Sequence, residues 1–191
     1  AGGFDDTSRE LMPAIREQEQ QAAAAAVGVH RVEFLDGYHD GTLTPSLALR
    51  RDITAAIRRF RPDRVLTSSP LRRWERLAGP SHPDHLAVGE ATTCAIYPDA
   101  RNRFAFPELL AEGLEPWVVR EVWYAGGPNP DHAVDVTDRF DQKVAALRAH
   151  RSQTAHMDVE DWLRQMSGAV AYSAGLPEGR LAEAFTVLRT E

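Results

Sequence analysis

Apolar residues fall into two rhythms along this chain, one near 3.6 residues and one of two. Ile15, Ala22 and Ala26 recur at helical spacing, and Gly28 stands where a left-handed residue ends a helix, so a helix is predicted over 13–27. Thr7 and Glu10, just upstream, have the spacing of a capping box. From His30 to Leu35 the pattern alternates, with Val32 and Phe34 on one side, which predicts a strand; Asp36 to Gly41 follows as a polar loop with two glycines. Thr44-Pro45 is a helix start, and Leu49, Ile53, Ile57 and Phe60 continue it until Arg61-Pro62-Asp63 breaks it. Arg64 to Thr67 reads as a short buried strand, Ser68 to Ser81 as a long loop, and Pro83 as the opening of a helix carrying Leu86, Ala87, Ala91, Cys94 and Ala95.

Residues 98–116 show no period and are predicted irregular. Val118 to Ala125 and Ala133 to Val136 read as strands. Asp138 opens a helix through Phe140, Val144, Leu147 and His150, and Asp158 caps a last one through Val159, Leu163, Met166 and Val170. Ala182 to Leu188 fits strand or helix equally. Strands alternating with helices predict an α/β fold, a Rossmann-like, mostly parallel sheet with helices on both faces. No repeat, low-complexity tract or long linker divides the chain, so 1–191 is expected to be one domain, with 156–191 a helical extension of it.

Composition narrows the function more than the fold. Of 191 residues, 43% are hydrophobic and 26% charged, enough for a sizeable core and against global disorder. The single Cys94 excludes an internal disulfide framework and a multi-cysteine zinc cage. A net charge of −6 gives no electrostatic footprint for nucleic acid. No uncharged apolar run reaches the roughly 18 residues of a membrane span, and the N-terminus has no signal pattern. The expectation is a soluble, cytoplasmic chain with no membrane span and no nucleic-acid partner. Among the 22 basic residues Lys143 is the lone lysine, a genome bias without functional content.

The strongest chemical signal is Ser81-His82-Pro83-Asp84-His85, after a strand and a long loop and at the start of a helix, where α/β folds place their sites. Two imidazoles and a carboxylate within four residues offer a metal ligand, a proton-transfer group and an orienting group. Helix capping by Asp and Ser and ordinary surface histidines account for the same residues, and on pattern alone that reading comes first. Arg16 and Glu19 are helix neighbours whose default reading is an exposed salt bridge worth a few tenths of a kcal/mol. Tyr38-His39-Asp40-Gly41 is explained by turn chemistry alone, and Asp5-Asp6 by a solvated loop. Cys94 sits among alanines as a buried thiol.

Taken in order, Arg16-x-x-Glu19, Ala26-Val27-Gly28-Val29, Phe34-Leu35, Tyr38-x-Asp40-Gly41, Arg61-Pro62-Asp63 and His82-Pro83-Asp84-His85 resemble the PIG-L/LmbE-like deacetylases. The late stretch Asp135-Val136-Thr137 with Lys143, Leu147, His150, Ser152 and Gln153 extends the resemblance, which covers roughly residues 7–155. These are zinc hydrolases that remove acyl groups from N-acetylglucosamine-type amides. The resemblance implies a Rossmann-like fold used for metal chemistry, and a small amino-sugar conjugate as the molecular partner. It implies His85 as a ligand to Zn2+ or another divalent metal. It also implies His82 as the catalytic histidine that stabilises the oxyanion or protonates the leaving amine, and Asp84 as the carboxylate orienting it. Arg16 and Asp40 fall at positions that contact substrate.

One departure stands out. The family's first strand ends in an Ala-His-Pro-Asp-Asp-type motif that supplies two zinc ligands and the general base, and no such motif occurs here; Asp5-Asp6, without a preceding His-Pro, does not replace it. The expectation is therefore a chain lacking the family's first two strands and first helix, with unpaired sheet edges that favour a homo-oligomer. Two other classes compete with the zinc deacetylase. One is a non-catalytic sugar-binding or scaffold relative; the other, a nucleotide-binding Rossmann protein, has no Gly-x-Gly-x-x-Gly after a strand to support it. Trp74 reads equally as a wall of the acyl site or as packing of its own loop. Arg101-Asn102-Arg103 reads as a solvated face.

Overall fold

Side-chain caps, prolines in the first turn that need no partner for a missing N–H, and a left-handed stop delimit helices of this chain, and the computed structural model, which describes residues 10–191, shows each device in place. Helix α1 (Met12–Ala26) has Pro13 in its first turn, where the missing N–H costs nothing. Helix α2 (Leu47–Phe60) is capped by Ser46, whose hydroxyl accepts from Leu49 N–H at 3.2 Å. The start predicted at Pro45 thus moves two residues downstream, to a residue that offers a cap. Arg61, in the left-handed region at φ 51°, ends α2. Strand β1 (Arg64–Ser68), helix α3 (Pro83–Cys94) and a one-turn helix α4 (Pro107–Ala111) follow. Then come strands β2 (Glu121–Ala125) and β3 (His132–Asp135), helices α5 (Phe140–Ala149), α6 (Arg151–Thr154) and α7 (Val159–Ser173), and strand β4 (Ala182–Arg189). The ambiguous last segment is therefore a strand, and α4 is a helix within the stretch expected to be irregular.

The expected α/β class holds, with a four-stranded sheet in the order β1-β2-β4-β3. β1 and β2 are parallel, Val65 opposite Val122, and β4 runs antiparallel to β2, Val122 opposite Leu188. The strand expected over His30–Leu35 is absent: the segment forms no ladder, because alternation supplies a face but not a neighbouring strand to bond. Thr7, proposed as a cap, and Asp5-Asp6 lie outside the described residues.

The chain folds as two compact units. One takes the chain up to Phe34 together with Ala133–Glu183; the other takes Leu35–His132 and Ala184–Glu191. In the first, Phe140 and Val144 of α5, Val159 and Leu163 of α7, and Leu181 make the core. The buried line of α1 runs through Glu19, Ala23 and Ala24, while Ala22, expected inside, is exposed. An apolar cleft of about 960 Å³, lined among others by Ala23, Val32, Val136, Leu147 and Trp162, lies in this unit. In the second, Ile57, Ala95, Ile96, Val119, Val122 and Tyr124 form the core. Arg58 is 1% exposed and donates to the carbonyls of Asp99, Ala100, Asn102 and Ala105, tying down the stretch without periodicity. Among the described residues no helix is long and apolar enough to cross a membrane.

Candidate functional site

The site is built where β1 hands over to α3. The connecting loop is closed near its end by Ser81, 2% exposed, whose hydroxyl accepts from Arg73 N–H at 2.9 Å while Arg72 donates to its carbonyl at 3.1 Å. α3 lies hard against the end of β1 because Gly89 has no side chain. A Cβ there would stand 2.5 Å from the Ser68 carbonyl oxygen and 2.8 Å from Pro70 N. These two small residues, Ser81 and Gly89, fix the height of the helix start; Ser81 stood in the sequence as the residue opening the Ser81-His82-Pro83-Asp84-His85 motif, while nothing in the local pattern set Gly89 apart.

His82 is the N-cap of α3, and its Nδ1 accepts from Asp84 N–H at 3.2 Å. A neutral ring accepting at Nδ1 carries its proton on Nε2. The His82 side chain is 44% exposed, and its ring centroid lies 5.6 Å from that of His85. The carboxylate of Asp84, expected to orient His82, stands 4.0 Å from Nδ1. It is committed elsewhere: Gly41 N–H donates to Oδ2 at 2.6 Å and Leu43 N–H to Oδ1 at 3.1 Å. The loop carrying Asp40 is thus joined to the start of α3. Tyr38 at its other end donates to Asp52 of α2 at 2.7 Å. Burial and the Asp52 carboxylate push the Tyr38 phenol up to about 12. His82, Asp84, His85 and the Asp40 loop therefore form one neighbourhood.

Arg16 belongs to the other unit, where its environment differs from an exposed helix pair. Glu19, its partner at 3.8 Å, has a side chain only 10% exposed and accepts from Ser152 twice, from N–H at 2.6 Å and from the hydroxyl at 2.8 Å. Burial opposes the Glu19 charge, but the Ser152 donors and the Arg16 cation outweigh it, and its pKa is lowered. Burial, with Arg16 adding to it, pushes His150 down. The late residues of the pattern are likewise structural: Asp135 accepts from Thr137 N–H and hydroxyl at 2.9 and 2.6 Å, and Lys143 pairs with Glu183 at 2.5 Å.

Other singled-out residues resolve simply. Trp74 is 79% exposed with the Arg72 guanidinium 5.7 Å from its ring centroid, both on the same loop. Arg101 donates to the Thr190 carbonyl and hydroxyl, so that stretch is partly tied down. Cys94 is half-buried, and burial raises its pKa, which keeps it a thiol. A zinc site needs three or four protein ligands. Among the described residues no three His, Cys, Asp or Glu side chains converge on a common point, so His85 stands there as a single donor and the described residues do not by themselves fit a zinc ion.

The chain is 30% identical over 172 residues to the diacetylchitobiose deacetylase of Thermococcus kodakarensis, covering 88% of this chain and 60% of that protein. It is 32% identical over 154 residues to the probable N-acetyl-alpha-D-glucosaminyl L-malate deacetylase 2 of Bacillus cereus, covering 78% of this chain and 62% of that protein. It thus spans about three fifths of the length of these curated relatives. The solved N,N'-diacetylchitobiose deacetylase of Pyrococcus horikoshii superposes with a TM-score of 0.84 at 28% identity, over 98% of this chain and 68% of that one. Residues 2–96 match the model of the family described as PIG-L, GlcNAc-PI de-N-acetylase. With order of motifs, backbone course and relatives in agreement, the chain belongs to the PIG-L family.

Proposed function

We propose that this chain serves a hydrolase that removes the acetyl group from an N-acetylglucosamine-type amide. The observation that supports it is the grouping of His82, Asp84 and His85 at the start of α3 beside the Asp40 loop, in a chain whose relatives are named as deacetylases of such sugars. In this reading the neutral His82 ring donates a hydrogen bond from Nε2–H to the developing oxyanion, worth about 10²–10³-fold. Protonating the departing amine would require the imidazolium, whose Nδ1 carries a proton and cannot accept from Asp84 N–H. Asp40 accepts from a substrate hydroxyl. His85 gives one imidazole toward zinc or another divalent ion. The described residues hold no set of three ligands and do not by themselves complete a metal site.

The test is acetate release by the intact protein from diacetylchitobiose and an N-acetylglucosamine conjugate, with metal content measured on the same sample. His85→Ala is expected to abolish release and to lower retained zinc. Full activity in that variant, or no release by the unaltered protein with divalent metal supplied, overturns the assignment. Sugar binding without release would identify the alternative, a non-catalytic sugar-binding relative.

A further inference from the structure

We propose that Asp84 is a positioning residue for Asp40, acting through the loop that carries it. What Asp40 does rests on the hydrolase reading above; what Asp84 does rests on geometry alone. The Asp84 side chain is 16% exposed, and its two oxygens receive two amides two residues apart, those of Gly41 and Leu43. Between them, Thr42 folds back, its N–H and its hydroxyl both donating to the His39 carbonyl at 3.2 and 3.0 Å. Gly41 holds φ +79°, a conformation that a residue with a side chain resists. Tyr38 anchors the other end on Asp52. Residues 38–43 are therefore held at both ends and closed across the middle, with Asp40 on the turn.

The same residue addresses His82 with a different atom. Asp84 N–H, not the carboxylate, bonds Nδ1. The backbone of Asp84 thus sets the ring's tautomer and its side chain sets the place of Asp40. Changing the carboxylate should disturb substrate placement and leave the His82 contact intact.

Asp84→Asn in the intact protein separates the two roles, since an asparagine offers one acceptor oxygen where the loop uses two. Amide hydrogen exchange at Gly41 or Leu43 is expected to accelerate about tenfold, as for a lost bond to a charged acceptor. KM for the amino-sugar conjugate rises about tenfold while kcat stays within about twofold, the signature of lost ground-state and transition-state binding together. Asp40→Asn gives a similar rise, and the double variant adds no further increase, because both act through one contact. Gly41→Ala, which strains the same turn while keeping the Asp84 carboxylate, repeats the KM effect should the Asp84 variant fail to fold. Unchanged exchange at both amides, or a fall in kcat at constant KM, overturns the proposal. Exchange needs no turnover: faster exchange at these amides in a protein that hydrolyses no such amide would refute the hydrolase reading and leave the positioning role standing.

Discussion

Glu19 and Ser152 lie 133 residues apart in sequence and are joined by two hydrogen bonds of 2.6 and 2.8 Å. This pair ties α1 to α6. Glu19 is held below its ordinary value of 4.5, since the Ser152 donors and Arg16 outweigh burial. A carboxylate depressed on folding stabilises the folded state above its unfolded pKa, and that contribution is lost as pH falls through the folded value. Stability measured by urea unfolding is therefore expected to fall as pH drops below about 4.5, the unfolded carboxylate range. Glu19→Gln lowers stability at pH 7 by roughly 1–3 kcal/mol, having one acceptor where two are used, and shows a flatter dependence below that range. A variant as stable as the parent at pH 7 would show that Ser152 finds water equally well.

Gly89 carries the close approach of α3 to β1. Alanine is the better helix former by about 1 kcal/mol, so an open position would gain from Gly89→Ala. Here the added carbon meets backbone at 2.5–2.9 Å, which no rotamer relieves. A net loss of roughly 2 kcal/mol is expected in urea unfolding, as for overpacked cores. A gain in stability would place α3 farther from β1.

Arg58 tests how the segment after α3 is held. Its guanidinium serves four carbonyls from a fully buried position, and burial pushes its pKa down. Arg58→Ala removes the side-chain donor of these carbonyls, of which those of Asp99, Ala100 and Asn102 keep a backbone N–H from Asn102, Trp117 and Ala105. It also opens a cavity at a fully buried position, and the expected cost is roughly 3 kcal/mol by the same assay. Arg58→Lys, with one ammonium instead of a fork, falls between the two.

How much of this was legible beforehand follows from the range of each interaction. The caps and breaks at Pro13, Gly28, Arg61-Pro62-Asp63 and Asp158 are local, and the chain showed them. The His82 to His85 motif was visible as a cluster because its members are adjacent in sequence. The two acceptor contacts of Asp84 were not, since Gly41 and Leu43 lie 43 and 41 residues away. Glu19 looked like a surface partner of Arg16 because helical spacing says nothing of a hydroxyl 133 residues on. His30–Leu35 failed as a strand for the same reason: the alternating pattern is local and the ladder is not.

Tyr38 offers a spectroscopic check on the anchoring of the Asp40 loop. Its phenol, half-buried and bonded to Asp52, is pushed up to about 12 against an ordinary 10. The folded pKa is raised, so the contribution of this contact is fully present below pH 10, declines as pH rises and is gone above the folded value. In absorbance titration at 295 nm, Tyr38→Phe is expected to leave the phenolate signal unaltered up to about pH 11 and to remove amplitude only above it. The variant loses about 1 kcal/mol of stability at neutral pH, the worth of one hydrogen bond to a charged acceptor at a partly exposed site. With that end of the loop freed and the Asp84 end intact, amide exchange should quicken from His39 and stay slow at Gly41 and Leu43. Loss of amplitude below pH 11 would mean that Tyr38 is already ionised there, and that Asp52 does not hold its proton.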